Sequence, residues 1–223
     1  MSTLPLGRRA VAEFVGTFVL VTVGCGAIVV NQMTGALGHQ GVAASFGLVI
    51  LVMIAAIGHL SGAHFNPAVT LAFALTRHFE WRDVLPYLFA QLVGAVSGAW
   101  VLRAAFGTTA GLGATLPTGT NLQALGIEIL LTAVLMFVIV SVATDTRAVG
   151  QLAAIAIGAT VGLDALWGGP VTGASMNPAR SFGPALVAGI WRGHWVYWLG
   201  PIVGAILGAA LYQYLRSEPD TED

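Results

Sequence analysis

Two asparagines are the residues of this chain best placed to act on a passing molecule. Asn66-Pro67-Ala68 and Asn177-Pro178-Ala179 repeat one tripeptide at an offset of 111 positions (177 − 66) in a chain of 223. A carboxamide does not titrate or attack; it donates and accepts hydrogen bonds. The chemistry on offer is therefore orientation of a polar molecule. The flanks are alike as well, SGAHFNPAVTLAFAL against TGASMNPARSFGPAL, which marks a duplicated unit. Signals for bond-making are missing. GASMN places Asn177 where the G-x-S-x-G elbow needs glycine, and no His-x-x-x-His pair exists. The expectation is a protein that is no enzyme, with no catalytic residue, cofactor or metal.

Each tripeptide reads as a helix start. Asparagine caps the first turn, and proline suits the next position because its missing N–H has no partner there anyway. Helices opening at Asn66 and Asn177 and ending near Leu75 and Val187 are too short to span a bilayer. They are expected to be re-entrant half-helices, their N-terminal ends meeting inside the membrane, where non-helical backbone is tolerated only in a protein interior or beside water.

Composition supports a membrane setting. Hydrophobic residues make up 57% and charged residues 9%, against roughly 25% charged in a soluble domain. Net charge is −1, which gives no reason to expect nucleic acid. The single cysteine, Cys25, rules out a disulfide framework within the chain. Six segments are long and apolar enough to span, at about 10–30, 41–60, 84–106, 122–142, 149–167 and 195–215. Arg8, Arg9, Arg77, Arg82, Arg147 and Arg216 then fall on one side, and Arg103 and Arg192 on the other. This bias predicts that both termini are cytoplasmic.

Three spans per half make the two halves inverted. Glu13 opens the first span and Glu128 the fourth, while Gly94 and Gly98 match Gly204 and Gly208 at an offset of 110. Both glycine pairs have the small-xxx-small spacing of closely packed helices. The fold expected is an all-α integral membrane domain over 1–223. It has six spans and two half-helices, with inverted repeats about 8–115 and 116–215 and a short acidic tail at 216–223.

HFNPAVT and MNPARSFGP, with AEFVGTF near the start and QLVGA before the midpoint, resemble the aquaporin (major intrinsic protein) family over about residues 8–215. The resemblance implies a homotetramer in the cell membrane, each subunit with its own pore, with the Asn66 and Asn177 amides at the pore centre. It implies passage of water and small neutral solutes. Counting from the asparagines, the family's outer constriction falls on Phe46, Ala165, Ala174 and Arg180. Two alanines depart from the strict water-channel pattern of Phe, His, a small residue and Arg. They bring the ring closer to the aquaglyceroporin and nodulin-like branches. Ser181, Ala185 and the pair Tyr197-Trp198 look instead like the water-channel pattern.

The remaining polar residues are assigned around that pore. Facing half-helix dipoles, each equivalent to about half a unit charge, disfavour cations. Carbonyls of Gly62, Ala63, His64, Gly173, Ala174 and Ser175 are expected to supply acceptors along one wall. Glu13 and Glu128 are expected to accept hydrogen bonds from the N–H groups of the re-entrant loops. His64 is placed at the inner vestibule and His59 in a structural role. Arg180 has Val69 as its counterpart in the first repeat, so its function is asymmetric: a guanidinium at the outer mouth, repelling cations.

The expected function is a passive channel for water and small uncharged solutes such as glycerol, with metalloid hydroxides such as arsenous acid in range. The alternatives are a strict water channel and, less favoured, an ion-coupled transporter, which shares broken helices but places ionisable groups at the midplane.

Overall fold

The structure, a computed structural model, describes residues 4–145, 147–148 and 152–216. The acidic tail from Glu218 to Asp223 lies outside the described residues. The chain forms α1 (Leu6–Leu20), a π-wound turn (Val21–Cys25), α2 (Gly26–Thr34), α3 (Gly38–Ser61), α4 (Pro67–Leu75) and α5 (Trp81–Phe106). It continues as α6 (Asn121–Thr144), α7 (Ala153–Thr172), α8 (Pro178–Ala188) and α9 (Val196–Arg216). Among the described residues, six stretches are long and apolar enough to cross a membrane: Leu6–Thr34, which joins α1, the π turn and α2, then α3, α5, α6, α7 and α9. α4 and α8 are the short pair. The order of three spans with a half-helix after the second therefore occurs twice, an inverted repeat.

Glycine sets how the spans pair. α1 packs on α5, and a Cβ at Gly94 would stand 2.5 Å from the Phe14 carbonyl oxygen, one at Gly98 2.9 Å from that of Phe18. The second repeat does the same between α6 and α9, where a Cβ on Gly204 or Gly208 would run into the Ile129 or Ala133 carbonyl. A third contact, α3 against α7, rests on Gly47 beside the Gly158 carbonyl and joins the two repeats. Lipid offers no hydrophobic drive for helix association, so such close backbone contact is what holds spans together.

Gly204→Val shows the size of that effect. The added carbons meet backbone, which cannot rotate away, so an overpacking penalty of about 1–3 kcal/mol or more is expected. Thermal unfolding in detergent should occur at clearly lower temperature than for the parent. An unchanged melting curve would mean α9 can slide on α6.

Candidate functional site: a pore between two half-helices

Both asparagines sit in extended backbone (φ −155° and −154°) directly before a proline that opens a helix. The Asn66 Oδ1 accepts from Ala68 N at 2.9 Å, and the Asn177 Oδ1 from Ala179 N at 3.0 Å and Arg180 N at 3.3 Å. The amide nitrogens cross over. Asn66 Nδ2 donates to the Met176 carbonyl at 2.7 Å, and Asn177 Nδ2 to the Phe65 carbonyl at 2.8 Å. Each side chain therefore caps its own half-helix and ties down the loop of the other. Each amide keeps a second N–H, and both residues stand on the wall of one cavity.

The loops leading into the half-helices are strained in the same way twice. Gly62, Ala63 and Phe65 have φ of 89°, 51° and 49°, and Gly173, Ala174 and Met176 have 87°, 42° and 53°. Left-handed backbone costs an alanine or phenylalanine on the order of 1–2 kcal/mol per residue. Two buried carboxylates offset this. Glu13 accepts from Ser61 Oγ (2.7 Å), His64 N (3.0 Å), Phe65 N (2.6 Å) and Gln91 Nε2 (2.9 Å). Glu128 accepts from Thr172 Oγ1 (2.7 Å), Ser175 N (2.9 Å) and Met176 N (2.9 Å). Peptide N–H groups turned toward the carboxylate leave neighbouring carbonyls free to face elsewhere.

Further anchors escaped the sequence reading. Tyr87 OH donates to the Ser61 carbonyl at 2.8 Å, and Tyr197 OH to the Thr172 carbonyl at 2.7 Å. Their offset of 110 (197 − 87), the same as that of the packed glycines, was the signal available. Gln91 also bonds Thr70 Oγ1 at 3.0 Å; it opens the QLVGA stretch, but its place in the second repeat is Pro201, so the duplication gave no sign of this bond.

The cavity measures about 490 Å³. Asn66, Asn177, Phe46, Ala165, Ala174, Arg180, Gly62, Ala63, His64 and Ser175 all stand on its wall. Gly173 does not. It ends α7 in a left-handed turn packed against Thr115. His59, expected to be structural, is exposed and on the wall, in the last turn of α3. The remaining lining is mostly aliphatic, including Leu20, Ile50, Val69, Ile139 and Val161.

The two ends of the site differ. His64 stacks among Phe73, Phe79 and Tyr87, with ring centroids 4.9, 4.8 and 5.3 Å away, and its Nδ1 meets Thr70 Oγ1 at 3.1 Å. The second repeat has a hydroxyl chain instead, Thr115 Oγ1 to Ser181 Oγ (2.8 Å) to Ser175 Oγ (2.5 Å). Arg180 lies on this side, 2% exposed, its Cζ 4.7 Å from the Phe46 ring centroid. Nη1 donates to the Gly113 carbonyl at 2.8 Å, while Nε has no hydrogen-bond partner among the described residues. Gly113 belongs to the loop before α6. Asp164 is buried, off the cavity wall although its neighbour Ala165 lies on it.

Known proteins share this arrangement. The sequence model described as "Major intrinsic protein" matches residues 1–212. The chain belongs to the major intrinsic protein family. Aquaporin NIP1-1 of Oryza sativa subsp. japonica is 50% identical over 216 residues, covering 96% of this chain and 76% of that one. Nodulin-26 of Glycine max is likewise 50% identical over 216 residues, covering 96% and 80%. Among solved structures, the X-ray structure of the aquaglyceroporin from Plasmodium falciparum superimposes with a TM-score of 0.79 at 26% identity, covering 94% of this chain and 95% of that one. As a member of the major intrinsic protein family, the chain is a multi-pass integral membrane protein of a passive channel family, not an enzyme.

Proposed function

We propose that the protein is a passive channel for water and for uncharged solutes of glycerol size, closed to protons and ions. The observation that carries this reading is the composition of one wall, with Phe46, Ala165, Ala174 and Arg180 on the same cavity as the two asparagines. Two alanines leave room beside the phenyl ring. A polyol passes with its carbons against Phe46 and its hydroxyls toward the Arg180 guanidinium and the loop carbonyls. Unpaired polar groups lose about 1–3 kcal/mol each, so these partners decide whether a polyol enters. Aliphatic lining elsewhere keeps adhesion weak, as a conducting path requires.

Charge is excluded twice. Arg180 repels cations at the mouth. At the centre, α4 and α8 aim their positive N-terminal ends at one point, and the remaining amide N–H of Asn66 and of Asn177 turns the oxygen of each passing water. That orientation interrupts the hydrogen-bonded file along which a proton would hop. Arsenous acid, small and neutral, meets the same criteria as glycerol.

The whole chain acts as one channel domain of two inverted repeats, about 8–115 and 116–215. The arginine bias puts both termini in the cytoplasm and the Arg180 end outside, in a cell membrane. Four copies assemble, each with its own pore, and chemical cross-linking in native membranes should stop at the tetramer.

Stopped-flow light scattering of proteoliposomes tests the solute range. Glycerol and water should both pass, insensitively to a protonophore. Ala165→His and Ala174→Phe should each cut glycerol flux about tenfold or more, the rate equivalent of ~1.4 kcal/mol, with a smaller loss for water. A parent protein that passes water alone would be a strict water channel, and a protonophore-sensitive flux would mean an ion-coupled carrier.

A further inference from the structure

Phe46 projects from α3 into the constriction, but the position of its ring is set from another helix. Gly24, buried in the π-wound turn Val21–Cys25, faces it. A Cβ at position 24 would stand 2.6 Å from Phe46 Cδ1 and 2.9 Å from Cζ, and closer still to Cε1. No real side chain tolerates such contacts, so the ring occupies space that any residue but glycine would fill. The same turn supports the other large member of the constriction. Gly113, whose carbonyl holds Arg180 Nη1, packs on Cys25, where a Cβ would stand 2.9 Å from the cysteine Cβ. π turns are rare inside α-helices and frequent at functional sites. Here one such turn backs both Phe46 and, through Gly113, Arg180.

The geometry points to Gly24 as a specificity-determining residue: its missing side chain sets how far the Phe46 ring stands back from the channel axis, and so the width open to a solute beside Arg180. The inference rests on the reading of Phe46, Ala165, Ala174 and Arg180 as the constriction. Its physical basis is packing. Interiors are filled to crystal-like density, so a ring displaced from the π turn moves toward the open side, and for Phe46 the open side is the cavity. Water, which needs the least width, loses least. A polyol, whose carbons ride on that ring, loses most.

Gly24→Ala in proteoliposomes is the test, with the ratio of glycerol to water permeability as the readout. The ratio should fall by about tenfold, as displacing an overpacked ring by part of an ångström implies. Shortening the displaced side chain in the same background, Gly24→Ala with Phe46→Val, should restore it. A merely structural glycine would lower both fluxes together through loss of folded protein and leave the ratio unchanged. That result, or a normal ratio in well-folded Gly24→Ala, overturns the inference. If Gly24→Ala does not assemble, recovery of assembly and glycerol flux in the double variant supports the steric coupling, and failure of the double variant overturns it. If the parent passes no glycerol, the solute range proposed above fails. Water permeability then becomes the readout, reduced by Gly24→Ala and restored by Phe46→Val where the inference holds, and unmoved by that rescue where it does not.

Discussion

Glu128→Ala is expected to abolish assembly of the channel, while Glu128→Gln yields a folded but weakened protein. The carboxylate accepts from Thr172 Oγ1, Ser175 N and Met176 N, and it is fully buried. Alanine leaves those donors facing an apolar void, at about 1–3 kcal/mol for each unsatisfied group. It also releases two left-handed residues, Ala174 and Met176, from the contacts that hold them there. The sum, on the order of 3–9 kcal/mol, is comparable to the whole stability of a typical fold. Glutamine keeps an acceptor oxygen for part of the set but introduces an amide with no acceptor waiting for it. Size-exclusion chromatography and thermal unfolding in detergent check the order parent, Glu128→Gln, Glu128→Ala. Equal stability of all three would show that the loop holds its shape unaided. Glu13→Ala should behave in the same way, since that carboxylate accepts from two peptide N–H groups, Ser61 and Gln91.

Arg180→Val should turn the outer mouth from a cation barrier into an apolar opening. At an effective dielectric constant near 20, a unit charge 4 Å from the guanidinium is repelled by about 4 kcal/mol. Removing the charge lowers the entry barrier for a monovalent cation by roughly a thousandfold in rate terms. The convergent dipoles of α4 and α8 remain, so ion flux should become detectable and stay far below water flux. Glycerol flux should change as well, because the wider mouth comes with the loss of a hydroxyl donor. Planar-bilayer conductance and a pH-sensitive dye inside proteoliposomes read the two ions separately. A parent protein that carried protons in proportion to water would refute the dipole account. An Arg180→Val protein as tight to cations as its parent would move the whole barrier to the centre.

The same buried arginine shows why folding and selectivity are hard to separate here. Its side chain lies against the Phe46 ring and also bonds the Gly113 carbonyl. A folded Arg180→Val protein is therefore informative only beside its melting curve, with loss of the Gly113 bond expected to cost about 0.5–1.5 kcal/mol, or more because the donor is charged.

Much of the architecture followed from local physics. Half-helices at Asn66 and Asn177 are dictated by an asparagine cap followed by proline, and the structure begins both helices at the prolines and ends them at Leu75 and Ala188. Span positions followed from apolar length, with the observed helix ends falling within about five residues of the expected ones; α7 is displaced along the chain, Ala153–Thr172 against about 149–167. The first span was longer than expected, Leu6–Thr34 against about 10–30, because the helix runs on through polar residues at its ends, Arg8 and Arg9 before and Asn31, Gln32 and Thr34 after, that an apolar stretch leaves out. The paired glycines were legible because close approach of two backbones tolerates no side chain, a requirement that repeats with the duplication.

What the sequence could not show is whatever depends on two distant segments meeting. The crossed bonds from Asn66 to Met176 and from Asn177 to Phe65 join loops 110 and 112 residues apart. The contact of Gly173 with Thr115 and the place of His59 on the cavity wall likewise join segments far apart in sequence. Gln91 and Gly113 gain their roles only through partners in other elements, and neither belongs to the duplicated pattern. By itself, then, the chain determined its class, its inverted repeat and the two capped half-helices, because spans, caps and packed glycines follow from residues near in sequence. The aperture was decided by tertiary structure alone. In the reading proposed above it depends on how Phe46 and Arg180 meet, and each is held from elsewhere in the chain, the ring against Gly24 of the π turn and the guanidinium by the Gly113 carbonyl.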